Sequence, residues 1–366
     1  MSDRLFVATR KGLFAVEREA RRWVLREPSF LGDPVSAVLP DARDGTLYAA
    51  LNLGHFGVKM RRSTDGGKTW DEHAVPTYPR QPENLPENAA PWKLVQVWSL
   101  ESGGASEPGV LWAGTNPGGL FRSADRGETW TLDEALWNRP ERAEWFGGGY
   151  DSPGIHSICV DPRDSNVVTV GVSCGGVWRT RDGGAGETHW QLLGKGLKAP
   201  YMPPERIDDA NIQDVHRLVS CRSRPDVFWL QHHAGVYRSA DGAESFEPVP
   251  EPALSSFGFA VAVDPNDAQT AWFVPAVKDE TRVPVGARLA VTRTRDGGAT
   301  FETLREGLPD LSYDLVYRHG LDVDASGRRL AIGSTTGGLW ISEDRGERWH
   351  CVSSHLPPIH AVRFAA

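Results

Sequence analysis

The sequence has few cysteines, and their spacing argues against small domains that are stabilised by disulfides or by zinc. Cys159, Cys174, Cys221 and Cys351 are the four cysteines in 366 residues, and they form no CxxC pair or other metal-ligand spacing. Neither a disulfide framework nor a structural zinc module is therefore indicated. We expect reduced thiols that lie in the core or near a site.

Long apolar runs and an excess of positive charge are also missing. No run of 18 apolar residues occurs, and the N-terminal stretch enters a strand pattern without the apolar core of a signal peptide. The formal net charge is −8, and the basic residues are scattered along the chain. We therefore predict a cytoplasmic protein with neither nucleic-acid nor membrane partners.

Motifs of common enzyme classes are absent as well. The sequence contains no nucleophile elbow, phosphate-binding loop or dinucleotide fingerprint. The glycine-rich stretch at 147–150 does not lie between a predicted strand and a predicted helix, so it fails the structural context that such a fingerprint needs.

The chain is instead rich in turns and tryptophan, with 39 Gly, 26 Pro and 14 Trp. One eight-residue stretch, STDGGKTW at 63–70, recurs. In it an Asp can accept hydrogen bonds from turn N–H groups, glycines permit positive φ, and a Trp begins the return strand. The other copies are SADRGETW at 123–130, TRDGGAGETHW at 180–190, SADGAESF at 239–246, TRDGGATF at 294–301 and SEDRGERW at 342–349, with a degenerate VEREARRW at 16–23.

The spacing of these turns predicts an all-β, seven-bladed β-propeller in one domain. Successive turns lie roughly 50 to 60 residues apart, and each interval accommodates four short strands. The tail at 359–366 has the pattern of an innermost strand, so we predict that it pairs into the first blade and closes the ring. The predicted blades span 359–366 with 1–30, 31–80, 92–135, 153–196, 213–250, 256–306 and 316–354.

The repeated stretches resemble the Asp-box, or BNR, repeats of sialidases, sortilin-type receptors, xyloglucan-cleaving glycosidases and photosystem assembly factors. The resemblance implies a propeller and says little about chemistry. The Arg-Ile-Pro of sialidases is absent, and seven blades exceed the six of sialidases, which argues against that activity.

A second pattern appears when the innermost strands are aligned. The position near the start of each strand, here called the register position, is His in four of seven blades, although the chain has only 11 His. Long loops lead into these strands, so the register positions lie at the mouth of the central channel on the loop-rich face, where sites are common. In blades 1 to 7 the register residues are His360, Ser36, Trp98, His156, His216, Phe259 and His319.

Two interpretations of this pattern remain open. His156, His216, His319 and His360 could hold one divalent transition metal ion on the axis, as three or four imidazoles do for Zn, Fe, Mn, Cu or Ni. Alternatively, the histidines line a polar channel mouth and form hydrogen bonds with the loops.

Further candidate residues lie where second strands end on the same face. Together with Trp98 and Phe259, these residues could contact a small-molecule or saccharide ligand, and Arg10 with Lys11 could bind a carboxylate or phosphate. The candidates are Arg10, Lys11, Asn52, His55, Asn116, Cys174 and His232.

Three functional hypotheses follow. The first is an intracellular small-molecule enzyme with an axial, His-lined site, in which the four histidines are metal ligands or acid/base groups. In this hypothesis Asp151, Asp214 and Asp314 are the candidate catalytic carboxylates or partners of the imidazoles. The second is a metal-free glycoside hydrolase that uses such loop carboxylates. The third is a non-catalytic binding or assembly scaffold.

Overall fold

Seven four-stranded antiparallel sheets form a closed ring, so the predicted seven-bladed β-propeller is confirmed. The computed structural model describes residues 1–83, 91–148, 150–183, 189–250 and 252–365. Part of the fourth predicted turn and one residue of the glycine-rich stretch at 147–150 lie outside the described residues. None of the described helices is long and apolar enough to cross a membrane.

The strands of the first three blades have the following bounds. Blade 1 contains β1 (Arg4–Thr9), β2 (Gly12–Glu19) and β3 (Arg22–Leu25). Blade 2 contains β4 (Val35–Pro40), β5 (Leu47–Asn52), β6 (Val58–Ser63) and β7 (Asp71–His73). Blade 3 contains β8 (Gln96–Ser102), β9 (Leu111–Asn116), β10 (Leu120–Ser123) and β11 (Thr131–Leu132).

The remaining blades continue in chain order. Blade 4 contains β12 (Ile155–Val160), β13 (Val168–Val172), β14 (Gly176–Thr180) and β15 (Gln191–Leu193). Blade 5 contains β16 (Val215–Cys221), β17 (Arg224–His232), β18 (Gly235–Ser239) and β19 (Glu247–Pro248). Blade 6 contains β20 (Gly258–Asp264), β21 (Asp267–Pro275), β22 (Val291–Thr294) and β23 (Glu302–Leu304). Blade 7 contains β24 (Leu321–Val323), β25 (Leu330–Gly333), β26 (Leu339–Ser342) and β27 (Trp349–Ser353).

The last strand, β28 (Ile359–Phe364), closes the ring as predicted. It pairs antiparallel with β1, with Val7 opposite Val362 and Leu5 opposite Phe364, and becomes the innermost strand of blade 1. Closure pairs an edge that would otherwise expose unpaired N–H and C=O groups.

Helical segments are short and lie in the loops. The α-helix α1 spans Glu134–Trp137 and begins at Asp133, whose side chain accepts a hydrogen bond from the Leu136 N–H. The 3₁₀ segments are Gly54–Phe56, Pro140–Glu144, Pro204–Arg206, Ala210–Ile212 and Val285–Ala287.

The hydrophobic core is divided among the interfaces between adjacent blades. Each neighbouring pair of blades shares one cluster of buried side chains, because every sheet is covered on both faces by its neighbours. The cluster between blades 7 and 1 includes Leu5, Ile341 and Val362. Stability is therefore spread around the ring.

The repeated turns adopt the geometry that their sequence predicts. Asp65 accepts hydrogen bonds from the backbone N–H groups of Lys68 and Thr69, both at 3.0 Å. Gly66 and Gly67 have φ of 76° and 89°, as the turn requires. The Trp70 indole N–H donates to Ser29 Oγ of the preceding blade at 3.0 Å, so the turn also joins two blades.

Blade 7 differs from the prediction at its innermost strand. The sequence pattern predicts a strand from residue 318, whereas β24 begins at Leu321. His319 leaves the ladder of its own blade and forms a parallel bridge with Ala361 of blade 1, where the Val362 N–H donates to the His319 carbonyl at 2.9 Å. The backbone at residues 318–320 therefore turns toward the axis.

We predict that Val362→Ala lowers the free energy of unfolding by about 2 kcal/mol, because it removes buried methyl groups from the strand that closes the ring. Urea denaturation followed by tryptophan fluorescence measures the change. Val277→Ala is the matched control, since Val277 is 38% exposed and its loss should change stability by less than about 0.5 kcal/mol. Equal midpoints for the two variants would contradict the role of β28.

Candidate functional site

The register position coincides with a bulge in the innermost strands. In blades 1 to 5 the ladder shifts by one residue at this position, and in blade 6 an irregularity spans Phe259 and Ala260. A bulge turns one side chain out of the regular alternation. The register side chains can therefore reach the neighbouring blade and the axis.

Several of these side chains form hydrogen bonds with the next blade. His156 Nε2 lies 2.7 Å from the Val215 carbonyl, His216 Nδ1 lies 2.6 Å from the Gly258 carbonyl, and His360 Nδ1 lies 2.9 Å from the Val35 carbonyl. Ser36 Oγ donates equivalently to the Val97 carbonyl at 3.0 Å. In each case the acceptor directly precedes the register residue of the next blade.

The predicted set of four metal-binding histidines is not assembled. Across the described residues, no group of three potential ligands contains His156, His319 or His360. The reason is that their ring nitrogens bind backbone carbonyls, and His319 Nε2 lies 2.8 Å from the His156 carbonyl across the channel. Burial lowers the pKa of all three. For these residues the structure fits the hydrogen-bonding interpretation.

Two connected depressions occupy the mouth of the channel. The inner cavity has a volume of about 360 Å³ and the outer cleft about 690 Å³. Residues that line the inner cavity include Trp98, Tyr150, Phe259, Arg282, Tyr317 and Arg318. The outer cleft includes Arg10, Asp33, Asn52 and Phe56. Pro34, Asn52, Tyr150, Tyr317 and His360 line both.

Arg318 is the most unusual group in the inner cavity. It is 7% exposed, and within the described part of the chain its guanidinium forms neither a hydrogen bond nor an ion pair, with Nε buried and unsatisfied. The group lies over the rings of Trp98 and Phe259, 5.0 and 5.4 Å from their centroids. Burial lowers the pKa of Arg318. The Asp214 carboxylate acts on Arg318 through its electrostatic field, but a buried guanidinium without a hydrogen-bonded counter-ion is costly.

A compact carboxylate–imidazole group borders this cavity. Asp214 Oδ2 lies 3.3 Å from His216 Nε2 and 3.3 Å from His233 Nδ1. The His216 ring stacks on Phe259 at a centroid distance of 4.4 Å and lines the inner cavity. In the described part of the chain, one potential ligand atom from each of these three side chains lies within 4.8 Å of the other two, which is close enough to share a metal ion.

The electrostatics of this group are set by burial and by the three partners. Burial lowers the pKa of His216, against the opposing effect of Asp214. Burial alone would raise the pKa of Asp214, but His216, His233 and Arg318 hold it well below the usual range. The adjacent Asp214 carboxylate raises the pKa of His233, against burial. Asp214 is therefore a buried carboxylate anion.

The predicted ligand-contact residues divide into two sets. Arg10, Asn52, Trp98 and Phe259 line the cavity or the cleft. Lys11 is exposed in the turn between β1 and β2, and His55 is exposed in a 3₁₀ segment with its ring 4.0 Å from that of Phe56.

Three other predicted contact residues are enclosed. The Asn116 side chain donates to the Ser152 carbonyl at 2.9 Å and accepts from Ser152 Oγ at 3.0 Å, so it fixes the loop above it. Cys174 is buried beside Asp214, and burial raises the pKa of its thiol. His232 is fully buried, and burial lowers its pKa to about 3.

The three predicted catalytic carboxylates are placed in different surroundings. Asp214 is buried beside His216, which lines the cavity, while Asp151 is exposed. Asp314 accepts hydrogen bonds from the hydroxyls of Ser312, Ser334 and Thr336, with 2.6 Å to Ser334 Oγ. Asp314 therefore anchors its loop to the start of the β25–β26 connection.

Sequence reasoning missed Arg318 as a site residue. A signal was present, because the residue before the register position is apolar in five blades and glycine in the sixth: Ile359, Val35, Val97, Ile155, Val215 and Gly258. An arginine in the seventh place breaks this pattern. Arg282 had a weaker signal, since it lies in a loop, whereas the adjacent pair His232 and His233 is conspicuous in the sequence.

Comparisons with known proteins agree with the fold. The BNR/Asp-box repeat model matches residues 61–72, so the resemblance stated from the repeated turns is confirmed. A probable oligoxyloglucan-reducing end-specific xyloglucanase of Neosartorya fischeri is 30% identical over 147 residues, which cover 40% of this chain and 15% of that protein.

Two solved structures show the same architecture. A crystal structure of an ancestral GH74 enzyme superposes with a TM-score of 0.59 at 16% identity, covering 87% of this chain and 38% of that one. A structure described as YCF48 bound to D1 peptide gives a TM-score of 0.51 at 14% identity, covering 87% and 82%. At these identities the similarity establishes the fold alone.

We predict that His156→Phe destabilises the protein by about 1–3 kcal/mol, because it leaves the buried Val215 carbonyl without its partner. Metal content, measured by elemental analysis, should equal that of the wild type. His350→Phe is the control at an exposed position. A loss of bound metal without a loss of stability would restore His156 as a ligand.

Proposed function

We propose that the protein binds a small anionic molecule, with a sugar-like body and a carboxylate or phosphate group, in the inner cavity. The observation that carries the proposal is the buried guanidinium of Arg318, which has no hydrogen-bond or ion-pair partner among the described residues. Buried charges are normally paired. A ligand anion would supply the missing partner, and guanidinium is suited to bidentate contact with carboxylate and phosphate.

The charge of the cavity supports an anionic ligand. None of the described residues that line the inner cavity is acidic, and Arg282, which is ion-paired with Asp279, adds a second guanidinium. The chain as a whole has a net charge of −8. A basic cavity in an acidic protein focuses attraction for anions at this one place.

The remaining lining residues fit a compact body that carries hydroxyl groups. Trp98 and Tyr150 form one aromatic wall, with ring centroids 5.4 Å apart, and Phe259 and Tyr317 form another, with centroids 5.3 Å apart. Ser36, Asn52 and Gln96 supply polar groups between them. Apolar walls with a few polar groups are typical of small-molecule sites, and about 360 Å³ lies at the small end of such sites.

Glycoside hydrolysis is the second candidate, and the local identity with a xyloglucanase favours it. This chemistry needs two carboxylates that flank the sugar, roughly 5–9 Å apart. Among the described lining residues, Asp33 in the outer cleft is the one carboxylate. Release of sugar from xyloglucan oligosaccharides, and its loss in Asp33→Asn, would favour hydrolysis over simple binding.

We predict that glucuronate and glucose 6-phosphate raise the thermal denaturation midpoint, whereas glucose at the same concentration does not, because only the anions can pair with Arg318. Isothermal titration calorimetry with the best ligand should show roughly 10- to 100-fold weaker binding by Arg318→Met, the loss of a charged hydrogen bond.

The same variant separates a binding role from a structural role. Without ligand, Arg318→Met should be as stable as the wild type or more stable, because it removes an unpaired buried charge. Arg224→Met is the matched control at an exposed strand position and should bind normally. Destabilisation of Arg318→Met with unchanged binding, or equal binding of glucose, would refute the proposal.

A further inference from the structure

The Asp214, His216 and His233 side chains bring three potential metal-ligand atoms close to one another. His216 Nδ1 faces the Gly258 carbonyl at 2.6 Å, and an N–H must stand there because a carbonyl only accepts. The other ring nitrogen, Nε2, faces Asp214 Oδ2 at 3.3 Å, and Nδ1 of His233 faces the same carboxylate oxygen at 3.3 Å.

The distances fit a shared cation better than hydrogen bonds. Charge-assisted hydrogen bonds between nitrogen and carboxylate are about 2.7–2.9 Å long, whereas both imidazole–Asp214 distances are 3.3 Å. Ligand atoms about 2.0–2.1 Å from a tetrahedral metal ion are separated by about 3.4 Å. The three candidate ligand atoms all lie within 4.8 Å of one another.

The surroundings hold the three side chains in this arrangement. A metal-binding histidine commonly donates its second N–H to a carbonyl, as His216 does to Gly258. The Asp214 backbone N–H donates to Tyr201 Oη at 3.0 Å. The backbone N–H of His233 donates to the backbone carbonyl of Asp214, also at 3.0 Å. The His233 ring packs against Tyr201, with centroids 4.9 Å apart.

We propose that Asp214 Oδ2, His216 Nε2 and His233 Nδ1 bind one divalent transition metal ion at the wall of the inner cavity. Two imidazoles and one carboxylate select Zn²⁺, Co²⁺ or Fe²⁺ over Mg²⁺ or Ca²⁺. Three protein ligands leave a coordination position open. The site involves one of the four histidines expected from the sequence, and it does not depend on the ligand proposed for Arg318.

Two guanidinium groups near the proposed site affect the affinity for a metal ion. Arg318 acts on Asp214, and Arg282 acts on His233, through their electrostatic fields. Both guanidinium groups oppose a dication, whereas the carboxylates of Asp214 and of Asp279, which is ion-paired with Arg282 and acts on His233, favour it. Binding therefore depends on the Asp214 carboxylate as well as on the imidazoles.

Titration of the full chain with Co²⁺ tests the site after metal removal with a chelator. One equivalent should bind, with the visible absorption of four- or five-coordinate Co²⁺, and calorimetry should give the affinity. We expect His233→Ala and Asp214→Asn each to weaken binding at least tenfold. His350→Ala, which removes an exposed histidine elsewhere, should bind as the wild type does.

Thermal denaturation without metal confirms that each variant is folded, and His233→Ala is the safer of the two because His233 is only partly buried. Absence of Co²⁺ binding by the wild type, or equal affinity in His233→Ala, would overturn the proposal and leave the three side chains as a buried ionic cluster.

Discussion

The structure depends on the contact between the start of one innermost strand and the backbone of the next. Each blade buries its faces against its neighbours, yet polar backbone groups at the channel mouth are left outside the ladders. Side chains at the register position reach these groups because the strand bulges there. His156, His216 and His360 make this contact with imidazole, and Ser36 makes it with a hydroxyl. Orientation of adjacent blades and shape of the cavity are therefore set by the same bonds.

The sequence predicts the fold far better than the site. The repeated Asp turns report local backbone geometry, and their spacing counts the blades, so closure by residues 359–364 follows. Histidine does occur at the register position of four blades, but the same side chain can either bind a metal ion or form a hydrogen bond with a backbone carbonyl. Sequence cannot separate these uses, because the difference lies in the direction of ring nitrogens. Arg318 was not predicted as a site residue, because the sequence pattern assigns residues 318–320 to a regular strand that in the structure begins only at Leu321.

The cavity combines features that are unfavourable for stability. Arg318 is desolvated without a hydrogen-bonding partner among the described residues, and Asp214 is a buried carboxylate beside two imidazoles. Each would weaken an isolated small domain. A propeller of this size tolerates them because seven of its apolar clusters lie between adjacent blades. Charged groups can therefore be concentrated at the channel mouth without disturbing the packing that maintains the ring.

The closing strand has a second consequence for ligand binding. His360 lies on β28, and it lines both the inner cavity and the outer cleft. The wall of the site is therefore incomplete whenever β28 detaches from β1. By thermodynamic linkage, any molecule that binds only the completed cavity must favour the closed ring over the open one. Occupancy at the axis and the pairing of the first and last strands are two readouts of a single equilibrium.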